Sequence, residues 1–444
     1  MLTQEALTMI FAKRIKKSLS KHVSYVVAHP EEFAILPKYF TRVRKWPLAR
    51  ILSILFNMQH EDLSDVLLNC LPKEESLEAP YTTCFIQQRS HLKPDALLYV
   101  FNHVLEDICR FGASKTYHGY FLVAGDGSDI SMPTEVIPSK PNEKASRKVQ
   151  HHMEHLNALH DVKNDRYIAF STKPKLECKE RNELLDLADS LANQDNLPYK
   201  PGNTILICDR GYESCQVFAS LVKMGYHFVI RAKAPKSNGI LKGLHLEEIP
   251  EKSGTDVTVK IHVRKNKEGI YKRSAAKRWN PESDMTLSLR VVIKELPSGD
   301  FEYLFTNLPQ DKFSTGQIAY IYRMRWNIET SFRYLKYGIG GLVFHAIALR
   351  NQLMELYAAM ALYNCIAAIV NHIQIPRNGK KYKYKVNFNA AVLPCTNYLL
   401  FLDESDAEKL EELLKKKLVP IQPNRKFKRK RIPKKRGKGF HNRV

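Results

Sequence analysis

Four residues between positions 322 and 336 have the types and spacing that phosphoryl-transfer chemistry requires. On an α-helix, which turns about 100° per residue, Tyr322, Arg325, Glu329 and Lys336 fall on one stripe about 60° wide. A glutamate on such a stripe can bind a divalent metal ion, and the neighbouring cations can hold phosphate oxygens. The same spacing also fits an exposed, salt-bridged helix, because Arg325 and Glu329 form an ordinary i,i+4 pair.

Two aspartates stand where apolar segments end. The run FLVAG leads to Asp126 and TILIC leads to Asp209, and a turn-forming segment follows each aspartate. In open α/β sheets, ligands bind at the carboxyl ends of the strands. Two such aspartates and a helical glutamate can hold two metal ions ~3.5–4 Å apart, which clamp the attacking and leaving oxygens of a phosphoryl transfer. Aspartate near glycine is also common turn chemistry, so neither aspartate is diagnostic alone.

The order of these acids resembles that of the IS4 family of insertion-sequence transposases, which carry a carboxylate (DDE) site on an RNase H-like core. Residues 322–336 match every spacing of the family signature Tyr-x2-Arg-x3-Glu-x6-Lys. DGSDISMP (126–133) and LICDRGY (206–212) resemble the two aspartate blocks, and YLFTNLP (303–309) resembles the entry into the last catalytic segment. The resemblance extends over about residues 40–375.

This resemblance implies a role for each matching residue. The acids expected to bind metal and carry catalysis are Asp126, Asp209 and Glu329. The residues expected to contact the DNA backbone near the scissile phosphate are Tyr322, Arg325 and Lys336. Two Mg²⁺ ions are the expected cofactor, and Mn²⁺ suits the same oxygen ligands.

Three further residues near these motifs need an interpretation. Asp129 follows Asp126 by three positions, so the two lie on opposite faces if the strand continues that far. The family pattern favours Asp126 as the metal ligand, and Asp129 is expected to be a turn or capping residue. Trp279, between cations in the 235–313 segment, is a candidate for stacking on a flipped DNA base, or else a packing residue. Trp326 is expected to face the core.

A zinc-protease pattern provides a rival reading. The residues His151, His152, Glu154 and His155 satisfy HxxEH, which requires both histidines and the glutamate on one helix. Here the motif runs into LNALHD, which reads as a strand, and no third ligand follows. These histidines are therefore expected to line a basic loop between strands.

The hydrophobic patterns predict an α/β fold with a mixed sheet, a β-rich insertion and an all-helical N-terminal domain. The family resemblance implies that the sheet is RNase H-like and that the N-terminal domain is a DNA-binding domain. Cations and glutamines in that first domain suit phosphate and base-edge contacts. They are Arg42, Arg44, Lys45, Arg50, Gln87, Gln88 and Arg89. The predicted segments are a helical domain (1–115), the core's first part (116–234), the insertion (235–313), the core's second part (314–374) and a C-terminal segment (375–444).

Charge and composition narrow the class of partner. The 444 residues carry a net charge of +23, and eleven of the basic residues lie between Arg425 and Arg443, in a tail expected to be disordered until it meets an anion. The eight scattered cysteines include no CxxC pair, so neither a disulfide framework nor a four-thiolate zinc site is expected. Residues 356–376 lack charge but contain Asn and His, which favours a buried helix over a membrane span.

These observations predict a DNA transposase that binds the terminal inverted repeats of its element, cleaves the ends and joins the freed 3′-hydroxyl to target DNA. The expected partners are double-stranded DNA and a second copy of the chain in a synaptic complex, with no membrane, in a bacterial cytoplasm near the nucleoid. Two alternatives remain open. One is a catalytically silent end-binding repressor, and the other is a metal-dependent nuclease without strand transfer.

Overall fold

A computed structural model of the protein describes eleven stretches of the chain. Trp279, Arg44, Lys45 and the basic tail lie outside them, so the expectations for those residues stay predictions. The described stretches are residues 4–42, 46–58, 63–70, 82–112, 114–134, 150–244, 252–266, 270–273, 285–340, 343–376 and 382–422.

The described residues form helices at both ends of the chain and strands mainly in its middle. The helices are α1 Gln4–Ala28, α2 Pro30–Phe33, α3 Leu48–Asn57, α4 Leu63–Asn69, α5 Thr82–Arg89, α6 Asp95–Phe111, α7 Glu180–Ala192, α8 Cys215–Met224, α9 Thr315–Met324, α10 Trp326–Arg333, α11 Leu349–His372, α12 Phe388–Leu400 and α13 Ala407–Lys415. The strands are β1 Phe121–Thr134, β2 Gln150–Asp161, β3 Arg166–Pro174, β4 Thr204–Cys208, β5 His227–Arg231, β6 Asp256–Lys265, β7 Tyr271–Arg273, β8 Met285–Glu295, β9 Phe301–Thr306, β10 Lys383–Val386 and β11 Leu418–Ile421.

Nine strands build one mixed sheet, in the order β3-β2-β1-β4-β5-β9-β8-β6-β7. The pairs β1–β4 and β4–β5 are parallel. The antiparallel pairs are β2–β3, β5–β9, β9–β8, β8–β6 and β6–β7. Helix α8 connects β4 to β5, which gives the predicted β-α-β unit. The predicted mixed α/β class is therefore confirmed.

The chain groups into two compact units. The first contains residues 1–112, 131–152 and 333–444, and the second contains 113–130 and 153–332.

The second unit completely buries β4, the middle strand of the parallel pairs. All five residues of β4 are buried, as its apolar run predicts. Helix α8 begins where the Ser214 side chain accepts a hydrogen bond from the Val217 amide, and it ends at Gly225, which adopts φ +82°. These two caps fix the length of the helix that returns the chain to β5.

The predicted β-rich insertion forms strands β6 to β9, and these strands continue the central sheet because β9 pairs with β5. Arg290 on β8 is buried and pairs with Asp256 at 2.6 Å. Its guanidinium also donates to the carbonyls of Leu308 and Phe313, just before α9. The insertion therefore anchors the segment that leads into the signature helix.

The sequence predicts one helix from about Ser314 to Tyr337, and the structure contains it with two local irregularities. Ser314 is the N-cap of α9, and α9 and α10 meet at Arg325. The turn tightens there because the Arg325 amide bonds the Tyr322 carbonyl, three residues back. Arg325 keeps helical dihedral angles (φ −52°, ψ −35°), so the helix continues through this turn. A π-helix, Tyr334–Gly338, ends the segment.

Helix α11 is the core of the first unit. By length and composition it is the one described helix that could cross a membrane, but most of it is buried against α1, α6 and α12. Glu355 on α11 forms an ion pair of 2.6 Å with Arg89, which is 1% exposed. The expectation that Arg89 contacts DNA is therefore wrong in this structure, because its guanidinium is used inside the unit.

Candidate active site

The parallel pairing of β1 with β4 brings two predicted aspartates to the same edge of the sheet. Gly125 on β1 is in register with Cys208 on β4. The next residue after each of these is an aspartate, so Asp126, within β1, and Asp209, just after the end of β4, lie side by side. Each is held by a backbone amide, since an Asp126 oxygen accepts from Gly127 at 2.9 Å and an Asp209 oxygen from Gly211 at 2.7 Å.

Arg325 links the first aspartate to the helical glutamate. One guanidinium nitrogen lies 3.2 Å from an Asp126 oxygen, and the other donates to Glu329 at 2.6 Å. The Arg325 side chain is only 7% exposed, whereas that of Glu329 is 37% exposed. The structure therefore brings Asp126, Arg325 and Glu329 together, with the arginine between two carboxylates.

The electrostatic environment of Asp126 reflects its burial and its acidic neighbours. Burial raises the pKa of Asp126 to about 6, although the Arg325 charge and the Gly127 amide act in the opposite direction. Asp209 and Glu329 lie close enough for their charges to raise this pKa further. All three predicted acids therefore share one electrostatic neighbourhood at the carboxyl edge of the sheet.

The donor set fits a divalent metal ion in type, because carboxylate oxygens are the ligands that Mg²⁺ prefers. Within the described ranges, however, no three such side chains converge closely enough to hold a metal ion. Arg325 accounts for this arrangement, since its guanidinium takes one oxygen each from Asp126 and Glu329. The two-ion site stays a prediction.

Tyr322 and Trp326 differ in exposure. Tyr322 is 4% exposed, and burial raises its pKa to about 12, so it is a neutral phenol. Trp326 was expected to face the core, but it is 50% exposed and lies 5.3 Å from the Arg325 guanidinium. Both line a cavity of about 850 Å³ that also presents Arg231 and Arg323.

Helical phase does not predict the exposure of Trp326. It follows Tyr322 by four residues, which places it about 40° away, and Tyr322 is 4% exposed. Lys336, the last residue of the signature, lies on the π-helix in the first unit. Its predicted contact with DNA, like that of Trp279, stays a prediction.

Asp129 occupies a different environment from Asp126. Strand β1 continues to Thr134, so Asp129 lies within a strand, and the expectation of a turn residue is wrong. One of its oxygens lies 2.8 Å from a ring nitrogen of His155, and the other accepts from Lys175. Burial alone would raise the pKa of Asp129, but the hydrogen bonds from Lys175 and His155 outweigh it and lower this pKa.

The HxxEH residues lie on strand β2 rather than on a helix or in a loop. Glu154 and His155 are both buried, and as neighbours on a strand they point to opposite faces. This geometry excludes the helical zinc-protease arrangement, as the sequence predicted. It also corrects the expectation that these histidines line a loop.

Comparison with known proteins identifies the family. Residues 118–365, more than half of the chain, match the family of the transposase DDE domain, so the chain belongs to that family. The resemblance to insertion-sequence transposases is confirmed, and the DDE domain generally uses divalent metal ions.

One relative is the transposase for insertion sequence element IS421 of Escherichia coli. It is 39% identical over 82 residues, which are 18% of this chain and 21% of the relative. The matched segment thus spans about a fifth of that relative's length. Among solved structures, the piggyBac transposase synaptic complex with hairpin DNA aligns with a TM-score of 0.44 at 10% identity, over 92% of this chain and 85% of the other.

Proposed function

We propose that this protein is a DNA transposase that binds the terminal inverted repeats of an insertion sequence, cleaves its ends and joins them to target DNA. The observation that carries the proposal is the pairing of β1 with β4, which places Asp126 beside Asp209, together with Arg325, which links Asp126 to Glu329. The proposal takes the central sheet to be an RNase H-like core.

The chemistry is hydrolysis followed by transesterification. Water adds to the phosphorus of a phosphodiester while the 3′-oxygen leaves and takes up a proton. The freed 3′-hydroxyl then attacks a target phosphodiester in line, so one P–O bond forms as another breaks. When bound by Asp126, Asp209 and Glu329, Mg²⁺ or Mn²⁺ would supply the Lewis acid for both steps.

The chain's own residues would supply the remaining electrostatics. Arg325 keeps its charge when buried, so it can balance the carboxylates and stabilise a phosphate that approaches them. Tyr322, Trp326 and the arginines of the adjoining cavity would contact the DNA backbone, with Lys336 in the same role. The basic tail would add salt-dependent affinity for DNA.

The proposed partners follow from the reaction. Two transposon ends must meet, which requires a homodimer in a synaptic complex. The N-terminal helices are the proposed end-binding domain, and the proposed location is the bacterial cytoplasm at the nucleoid.

An end-binding repressor and a nuclease are the competing functions. All three acids are present, and Arg325 links Asp126 to Glu329, which disfavours a silent repressor. A nuclease would leave hydrolysed ends without joined products, so the analysis of products separates it from a transposase.

The test is cleavage and joining of a labelled duplex that carries the element's end, with Mg²⁺ and with a chelator. We expect Glu329→Gln to bind this duplex but to cut it at least ~10²-fold more slowly, because it keeps the shape and loses the carboxylate charge. The matched control is Glu177→Gln, which removes the same charge from an exposed position. If Glu329→Gln cuts as fast as the control, Glu329 is only a salt-bridge residue and the proposed site is wrong.

A further inference from the structure

The first unit contains a cavity that the proposed reaction does not use. Its volume is about 470 Å³, and it lies between the segment 38–42, the start of α3 and the end of α5. Lys38 and Arg42 line it, and its described lining residues include no carboxylate. Its charge is therefore positive.

The start of α3 adds backbone donors to this cavity. Pro47 is the N-cap residue, and proline has no side-chain acceptor to satisfy the first amides of the helix. The amides of Arg50 and Ile51 bond the Pro47 carbonyl. Those of Leu48 and Ala49, which line the cavity, have no acceptor among the described residues. The positive end of the helix dipole lies at the same place.

Trp46 provides an independent observation. It lines the cavity, it is 2% exposed, and its ring packs edge-on against Phe85 at 5.7 Å. Its indole nitrogen is buried and has no hydrogen-bond partner in the described part of the chain. Buried donors are normally paired, so this N–H lacks the acceptor that a ligand would supply.

From this geometry we infer that the cavity is a phosphate-binding site that holds one phosphodiester of the DNA backbone. Its lining supplies several donors and cations: two helix amides, an indole N–H, an ammonium and a guanidinium, beside the neutral polar side chains of Thr41 and Gln88. A base would need exposed ring faces, but Tyr39 and His91 stack on each other at 3.8 Å. This inference rests on the proposed function, because DNA is the polyanion that a transposase must bind.

The sharpest test uses the small number of tryptophans. The chain has three, so labelling tryptophan alone with ¹⁵N gives three indole signals, and Trp46→Phe assigns one of them. We expect the Trp46 indole proton to move downfield when an end-bearing duplex is added in chelator. If inorganic phosphate saturates the shift of the Trp46 signal but the duplex leaves this signal unchanged, the site binds phosphate that does not come from DNA, and the choice of DNA is wrong.

Affinity measurements give a second readout. Trp46→Phe keeps the ring but removes the donor, and we expect about tenfold weaker binding to the duplex with an unchanged salt slope. Lys38→Gln and Arg42→Gln should each lower the slope of log K against log salt, and together by ~0.9, because both cations contact the same phosphodiester. Lys38 and Arg42 are exposed, so neither change threatens folding. The matched control is Lys17→Gln, an exposed lysine of α1 outside the cavity.

These measurements test the phosphate site and the proposed transposase function separately. If the wild type binds the duplex and none of the three cavity variants differs from Lys17→Gln, the phosphate site is wrong while the transposase proposal stands. If the wild type binds no DNA at all, the proposed function itself fails.

Discussion

Asp126 and Asp129 lie three residues apart on one strand, yet their surroundings differ in charge. Around Asp126, Arg325 is the one described cation within ion-pair distance, and Asp209 and Glu329 are acidic neighbours. Around Asp129, Lys175 and His155 both contact a single carboxylate. Burial raises the pKa of the first aspartate to about 6, whereas hydrogen bonds lower the pKa of the second.

The charges around Asp126 are therefore unbalanced, whereas Asp129 belongs to a balanced ion pair. Asp126 and Glu329 share one guanidinium and have Asp209 as an acidic neighbour, so they retain net negative charge, which a divalent cation can neutralise. Asp129 has the Lys175 ammonium as its own partner and a contact with His155, so it has less need of a metal ion. The contrast favours Asp126 over Asp129 as the metal ligand.

The largest expected effect is a difference in DNA cleavage rate between two variants, each of which removes the cation beside one of the two aspartates. Arg325→Gln leaves Asp126 and Glu329 without their shared partner, so DNA cleavage should fall by at least ~10²-fold. Lys175→Gln removes an exposed partner of Asp129, so cleavage should stay within about threefold of the wild type. Single-turnover cleavage rates measure both. Equal losses in the two variants would remove the distinction between the sites.

A smaller effect is expected at Gly127, between the two aspartates. A Cβ there would lie 2.1 Å from a ring nitrogen of His155, which is buried and held by Asp129. Gly127→Ala should therefore destabilise the fold by about 1–3 kcal/mol, measured as a shift in urea unfolding. Gly202→Ala is the matched control, because a Cβ there meets nothing within 4 Å. If Gly127→Ala and Gly202→Ala unfold at the same urea concentration, His155 moves aside without loss of stability and the prediction is wrong.

The smallest expected effect is on the free energy of unfolding, to which the Asp129 ion pair makes a pH-dependent contribution. Because the pKa of Asp129 is lowered by folding, its contribution to stability is present above the unfolded value of 3.8 and is lost as pH falls through the lower folded value. The stability difference between wild type and Asp129→Asn should stay below ~1 kcal/mol, since this side chain is 38% exposed. That difference should shrink between pH 6 and pH 3 in urea unfolding. A difference that grows on acidification would reverse the assigned sign.

Local sequence signals were sufficient for part of the site. The apolar runs that end at Asp126 and Asp209 predict two buried strands, and parallel pairing then brings those aspartates to one edge. The predicted start of a helix at about Ser314 is also correct, and in the structure Ser314 and Gln317 form a capping box there.

Several features that the sequence could not predict depend on contacts between residues far apart in the chain. The positions of Arg89 and Arg325 depend on partners 266 and 199 residues away, so spacing along a helix cannot distinguish a buried ion pair from a DNA contact. The continuation of the central sheet into the insertion likewise depends on β9 pairing with β5. The exposure of Trp326 is a further feature that its spacing from the buried Tyr322 does not predict.

The most direct test of the central claim compares Asp126→Asn with Asp129→Asn in Mg²⁺-dependent cleavage of an end-bearing duplex, with DNA binding measured in parallel. The two variants remove the same charge three residues apart on one strand. Our account predicts that Asp126→Asn binds DNA but loses at least ~10²-fold in cleavage rate, while Asp129→Asn cuts within a few-fold of the wild type. Rapid cleavage by Asp126→Asn together with inactivity of Asp129→Asn would contradict it and transfer the site to the second aspartate.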